Sequence, residues 1–250
     1  MKYPVAIIDY GIGGLGLYKM IREEFHDLPV LYFSDSGEIP YGKLSKTVLR
    51  SRLEKVFAYL EGRGVGHIIV ACHSASSVVL PGHKNVTGLR KQTVRAVTKR
   101  KPSFVGIIGG GRTIRSGYYR TELNKAGIKT SQRIAQQLSI LVERGEVDTP
   151  AVHAAVSKIV RPLAGCKTIL LACTHYPVLS DVILQHATPG TKLIDPAKEL
   201  YSSVHGYLKS AGKSQRGVTE FLTTGNTKLM IEAAGKAFGV RIPRATRVVV

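Results

Sequence analysis

The sequence has only three cysteines, Cys72, Cys166 and Cys173, an odd number with no C-x-x-C pair. That pattern argues against a disulfide framework and against a thiolate zinc site, so the thiols read as free in a reducing compartment. Long apolar runs are also missing, and none approaches the roughly 18–20 residues a membrane helix needs. Met1-Lys2-Tyr3-Pro4-Val5 leads straight into a strand-like run without a signal-peptide layout, so a cytoplasmic protein with no membrane partner is expected. A Walker lysine is lacking too, and the glycine stretches Gly11-Ile12-Gly13-Gly14 and Gly109-Gly110-Gly111 are weak evidence of nucleotide loops taken alone. Backbone approach to a small carboxylate is as good a reading of these glycines as a phosphate.

Acidic residues are scarce: 17 Asp and Glu against 36 Lys and Arg leave a formal charge of +19. The surplus sits in two blocks. Residues 81–133 carry thirteen basic side chains and one acidic, and residues 209–250 carry eight and two. Such blocks are solvated faces, or they steer an anionic substrate, or they give nonspecific polyanion affinity. Few aromatics interleave with them, which disfavours sequence-specific single-strand binding.

The 250 residues, 44% hydrophobic and 21% charged, suffice for one large core or two modest ones. Val5–Ile8, Val30–Phe33, Ile68–Ala71, Val105–Ile108, Ile169–Ala172 and Lys192–Ile194 read as strands covered on both faces. Helical spacing runs through Leu15–Glu24, Val48–Glu61, Ser131–Arg144 and Pro150–Leu163. This alternation predicts an α/β fold with mostly parallel sheets. It also repeats. Ile68-Ile69-Val70-Ala71-Cys72 resembles Ile169-Leu170-Leu171-Ala172-Cys173, and Ile7-Ile8-Asp9-Tyr10-Gly11 resembles Ile107-Ile108-Gly109-Gly110-Gly111, each pair about a hundred residues apart. Two pseudo-symmetric lobes are expected, 1–93 plus 208–250 carrying Asp9 and Cys72, and 94–207 carrying Thr113, Cys173 and His175. Ligands bind at the C-terminal ends of parallel strands, so a site belongs in the cleft between the lobes.

In Cys173-Thr174-His175-Tyr176-Pro177 a thiol lies two residues from an imidazole, an arrangement that can activate it. The plainer alternative is a core cysteine beside a hydrogen-bonded histidine. Cys166 has no such neighbours and reads as a small buried hydrophobe.

The chain resembles the glutamate racemases, within the aspartate/glutamate racemase superfamily. The resemblance rests on Ile8-Asp9-Tyr10-Gly11-Ile12-Gly13-Gly14, Ile39-Pro40-Tyr41-Gly42, Ala71-Cys72-His73-Ser74, Thr113-Ile114-Arg115-Ser116-Gly117, Cys173-Thr174-His175-Tyr176-Pro177 and Ile194-Asp195-Pro196-Ala197, in that order. It implies an isomerase that needs no cofactor or metal and inverts an amino acid by two-base proton transfer. Cys72, assisted by Asp9, would serve one enantiomer, and Cys173, assisted by His175 and Glu143, the other. Pro40, Tyr41, Gly42, Thr113 and Thr174 would hold the substrate. It further implies a homodimer and a role in supplying D-glutamate for peptidoglycan of the cell wall.

Several substrate-contacting positions depart from that pattern. Tyr10 stands at a usual serine, His73 at asparagine, Ser74 at threonine and Gly110 at threonine. Tyr10 and Gly110 are expected to exchange volume within the pocket, and His73 to lower the Cys72 pKa or titrate as a third group. Glutamate is the first substrate expected, with aspartate or another amino acid as the alternative. A noncatalytic binder of small anions or nucleic acid is the reading from another class. A thiol hydrolase using Cys173 and His175 ranks last.

Overall fold

The structure, a computed structural model, describes residues 2–79 and 85–250, so 81–84 of the first basic block lie outside it. The chain begins β1 (Tyr3–Asp9), α1 (Leu15–Glu24), β2 (Val30–Ser34), α2 (Lys46–Gly62), β3 (Val65–Val70), α3 (His73–Ser76), β4 (Val86–Gly88) and α4 (Leu89–Thr98). It continues β5 (Phe104–Gly109), α5 (Gly111–Arg115), α6 (Tyr118–Lys125), β6 (Lys129–Ile134), α7 (Gln136–Glu143), α8 (Pro150–Val160), β7 (Thr168–Ala172), α9 (Ser180–His186) and β8 (Lys192–Ile194). It ends α10 (Ala197–Ser214), β9 (Glu220–Thr223), α11 (Thr227–Phe238) and β10 (Ala245–Arg247).

Among the described residues the strands form two sheets, ordered β10-β9-β2-β1-β3-β4 and β6-β5-β7-β8, and every strand pair is parallel. The order β2-β1-β3-β4 recurs as β6-β5-β7-β8. The central strands β1 and β5 are therefore equivalent, as are β3 and β7, each followed by a cysteine two residues or one residue on. The α/β class and the pseudo-symmetry read from the sequence are those of the fold.

Side chains alternate across each sheet, as the period of a strand requires. Val5 and Ile7 join a core lying between the two sheets, where Ile12, Leu15 and Tyr32 meet Leu138, Val142, Leu171 and Tyr176. Ala6 and Ile8 face the other way, toward Leu49, Leu53 and Val56 of α2. In the second sheet Ile108 points to the shared core, while Val105 and Ile107 pack with Leu123 of α6. Each such buried aliphatic side chain contributes roughly 1.5–3 kcal/mol. Helix starts are fixed locally: Ser45, Thr149 and Asn226 accept the N–H of Val48, Val152 and Leu229 to cap α2, α8 and α11.

One segment differs from the sequence reading. Ser131–Arg144 is not a single helix: Lys129–Ile134 is strand β6, and helix begins only at Gln136. Strand β6 lies at the edge of its sheet and is half exposed, so its polar side chains carry no apolar run that would mark it. No helix among the described residues is long and apolar enough to cross a membrane.

Candidate active site

The C-terminal ends of β1, β3, β5 and β7 converge on a cavity of about 30 Å³. From β1 and the loop after it come Asp9 and Tyr10, and from the segment after β2 come Pro40, Tyr41 and Gly42. The end of β3 contributes Cys72, His73 and Ser74. The second sheet supplies Gly110 and Thr113 after β5, and Cys173, Thr174 and His175 after β7. Glu143 lies behind His175 and lines a neighbouring cavity instead.

On the β7 side the groups form a relay. Cys173 Sγ lies 3.5 Å from His175 Nδ1, and the opposite ring nitrogen, Nε2, is hydrogen-bonded to Glu143 Oε1. That oxygen also accepts the Ile12 N–H at 2.8 Å, which ties α7 to the loop after β1. Burial opposes charge on His175, but Cys173 and Glu143 on its two nitrogens outweigh it and hold its pKa well above the usual histidine range.

Two glycines admit this relay. A Cβ on Gly11 would fall 1.8 Å from Glu143 Oε1, and one on Gly13 would fall 2.3 Å from Thr174 Oγ1 and 2.7 Å from His175 Nδ1. The Gly11-Ile12-Gly13-Gly14 loop thus serves close approach of side chains from the other lobe.

The β3 side is different. Cys72 is buried, and burial pushes its thiol pKa well up; the charges of Asp9 and Cys173 add to this, while the Ala75 and Tyr10 backbone N–H groups oppose it. Asp9 is fully buried and its pKa is raised chiefly by that burial. Its Oδ2 accepts the Thr174 hydroxyl at 2.8 Å, and its Oδ1 has no side-chain hydrogen-bond partner among the described residues. One wall therefore presents a thiol beside an imidazolium, and the other a protonated thiol beside a carboxyl group.

Tyr41 is anchored from beneath. Its hydroxyl donates to Asp35 Oδ2 at 2.5 Å, and the fully buried Asp35 is gripped by Arg52 Nε and Nη2 at 2.8 and 2.5 Å and by the Thr224 hydroxyl at 2.9 Å. Ser74 Oγ lies 3.4 Å from Thr113 Oγ1 across the cavity.

Residues 45–204 match the family described as Asp/Glu/Hydantoin racemase. The chain is 34% identical over 244 residues to a glutamate racemase of Persephonella marina, covering 94% of this chain and 90% of that one. A glutamate racemase of Aquifex aeolicus is 31% identical over 215 residues, 83% and 84% of the two chains. The chain belongs to the Asp/Glu/hydantoin racemase family. In structure it is similar to glutamate racemase from Thermus thermophilus in complex with beta-chloro-D-alanine, with a TM-score of 0.87, 29% identity, and 100% and 98% of the chains covered. It is accordingly an isomerase.

Within this racemase fold two expectations need correction. His73 does not titrate beside Cys72: burial drives its pKa down to about 3, and its Nδ1 lies 2.8 Å from the Tyr119 hydroxyl. It is a neutral imidazole held against a tyrosine. Tyr10 does not take the space left at Gly110. Its ring packs on Tyr41 with centroids 5.5 Å apart, and its hydroxyl donates to the Glu38 carbonyl at 3.1 Å. The atoms nearest a Cβ on Gly110 are Gln136 Oε1 at 3.1 Å and Ser74 Oγ at 3.5 Å.

Gln136 and Ser139 line the cavity, and sequence reasoning named neither. The signal for Gln136 was its place just past the end of β6, where parallel sheets bind ligands. Reading Ser131–Arg144 as one helix concealed that strand end.

Proposed function

We propose that this racemase interconverts L- and D-glutamate by two-base transfer of the α-proton between Cys72 and Cys173. The observation that carries this is a single small cavity lined by both thiols, each with its own acid/base group and each rooted in a different sheet. Stereoinversion needs a proton acceptor on one face of the α-carbon and a donor on the other. Cys173, with His175 and Glu143, is suited to accept, and Cys72, held as a thiol, to donate. For the opposite enantiomer the roles exchange, with Asp9 assisting Cys72. Glutamate as substrate is supported by the names of relatives above 30% identity over most of the chain, those of Persephonella marina and Aquifex aeolicus among them.

The α-proton is far less acidic than a thiol. A cavity that excludes water and presents fixed donors to the substrate carboxylates is what such chemistry requires. The hydroxyls of Ser74, Thr113 and Thr174 and the backbone around Pro40, Tyr41 and Gly42 are the groups we assign to substrate. The lobes 1–93 plus 208–250 and 94–207 would then each carry one catalytic thiol, and relative movement between them would admit the amino acid.

The test is α-proton exchange in D₂O, followed by NMR over a panel of L- and D-amino acids. Glutamate is expected to exchange, and Cys72→Ser and Cys173→Ser each to lower the rate by about 100-fold or more. Exchange of aspartate in its place would change the substrate and keep the chemistry. Undiminished exchange in either variant would remove the mechanism.

A further inference from the structure

The inner cavity is small, at about 30 Å³, and a side chain from α7 narrows it. Gln136 extends its carboxamide into the gap between two glycines of opposite lobes: a Cβ on Gly42 would lie 1.9 Å from Gln136 Oε1, and one on Gly110 3.1 Å from it. The same oxygen accepts the Gly111 N–H at 3.2 Å, at the start of α5, whose N-cap Gly110 offers no side chain for the purpose. Gln136 Nε2 donates to Ser139 Oγ at 2.9 Å, and its second N–H has no hydrogen-bond partner among the described residues. Outward lies a second cavity of about 410 Å³, and Tyr10, Pro40, Gln136 and Ser139 line both.

We propose that Gln136 is a specificity-determining residue: its carboxamide closes the cavity when no substrate is bound and donates an amide N–H to a substrate carboxylate when one is. This rests on the racemase reading above. A carboxamide is uncharged, so it can accept the Gly111 N–H in one state and donate to an anion in the other. It also restores a polar group on the wall that Gly110 leaves bare. Backbone geometry at Gly110, φ −63° and ψ 158°, is open to any residue. The absent side chain there matches the space Gln136 takes.

Two sets of variants test this by steady-state racemisation of glutamate. Gln136→Glu places a negative charge against the substrate carboxylate, and Gln136→Ala removes the donor. Both are expected to raise KM about tenfold or more while kcat changes by less than about threefold, the signature of lost binding to a charged group. Gly110→Thr alone should lose activity through its collision with Gln136. Gly110→Thr with Gln136→Ala should recover it with a KM below that of Gln136→Ala alone, because the threonine hydroxyl replaces the lost donor, which relief of the collision by itself would not produce. Unchanged KM in Gln136→Glu, or no recovery in the double variant, overturns the proposal while leaving racemisation intact. Absence of racemisation of any acidic amino acid by the wild-type protein overturns both readings together.

Discussion

At the scale of single residues the site is asymmetric although β2-β1-β3-β4 and β6-β5-β7-β8 share one strand order. Two thiols at equivalent strand ends meet different surroundings: Cys72 is enclosed and held protonated, whereas Cys173 faces an imidazole tied to a carboxylate. His175 gains proton affinity on folding. Its contribution to stability is fully present below the ordinary histidine value near 6.5 and is lost as pH rises through its raised value. Activity that depends on the imidazolium follows the same direction. Glu143→Gln removes the charge that holds the proton, so the alkaline limb of the kcat/KM profile attributable to His175 should move to lower pH. A profile that does not move would mean that Glu143 does not govern His175. His73 shows the opposite environment: burial without a charged partner keeps it neutral, and residue type alone could not distinguish it from His175.

Among the elements, loops matter more than helices. The loop after β1 accepts side chains from the other lobe at Gly11 and Gly13, and the expected result of Gly11→Ala is displacement of Glu143. A fall in kcat of about 100-fold is expected, as for a roughly 1 Å misplacement of a catalytic group. Thermal unfolding should change much less, because no core packing is disturbed. The segment carrying Tyr41 depends instead on the buried Asp35–Arg52 pair, whose side chains are 0% and 11% exposed. Arg52→Ala leaves a buried carboxylate without its cation and should cost about 3–5 kcal/mol in chemical denaturation. Loss of under 1 kcal/mol would show that Asp35 is satisfied without it.

The same elements show what a sequence discloses. Val5–Ile8, Val105–Ile108 and Ile169–Ala172 were legible because central parallel strands are buried on both faces and must be continuously apolar. Strand β6 was not, since an edge strand of Lys, Thr, Ser, Gln and Arg has only one covered side. Asp9, Cys72, Cys173 and His175 were legible through chemistry-bearing residue types at strand ends. Gln136 was hidden because nothing in a glutamine marks it until the fold sets it between Gly42 and Gly110.

For the whole molecule, the formal charge of +19 overstates the free basic surface. Arg90 stacks over Tyr118 at 3.7 Å, Lys99 pairs with Glu199 at 2.8 Å, and Arg112 and Arg115 reach across the cleft to the carbonyls of Leu44 and Gly42, both at 3.2 Å. Part of the first basic block thus binds one lobe to the other over the cavity.

The central claim is that the proton leaving one face of the substrate is not the one returned to the other. Starting from one enantiomer in D₂O at low conversion, the isotope in product and in recovered substrate tests this directly. Two bases predict product carrying one solvent deuterium at Cα while the remaining substrate stays protonated. Deuterium entering the recovered substrate as fast as the product would indicate a single base serving both faces, and would contradict the pairing of Cys72 with Cys173.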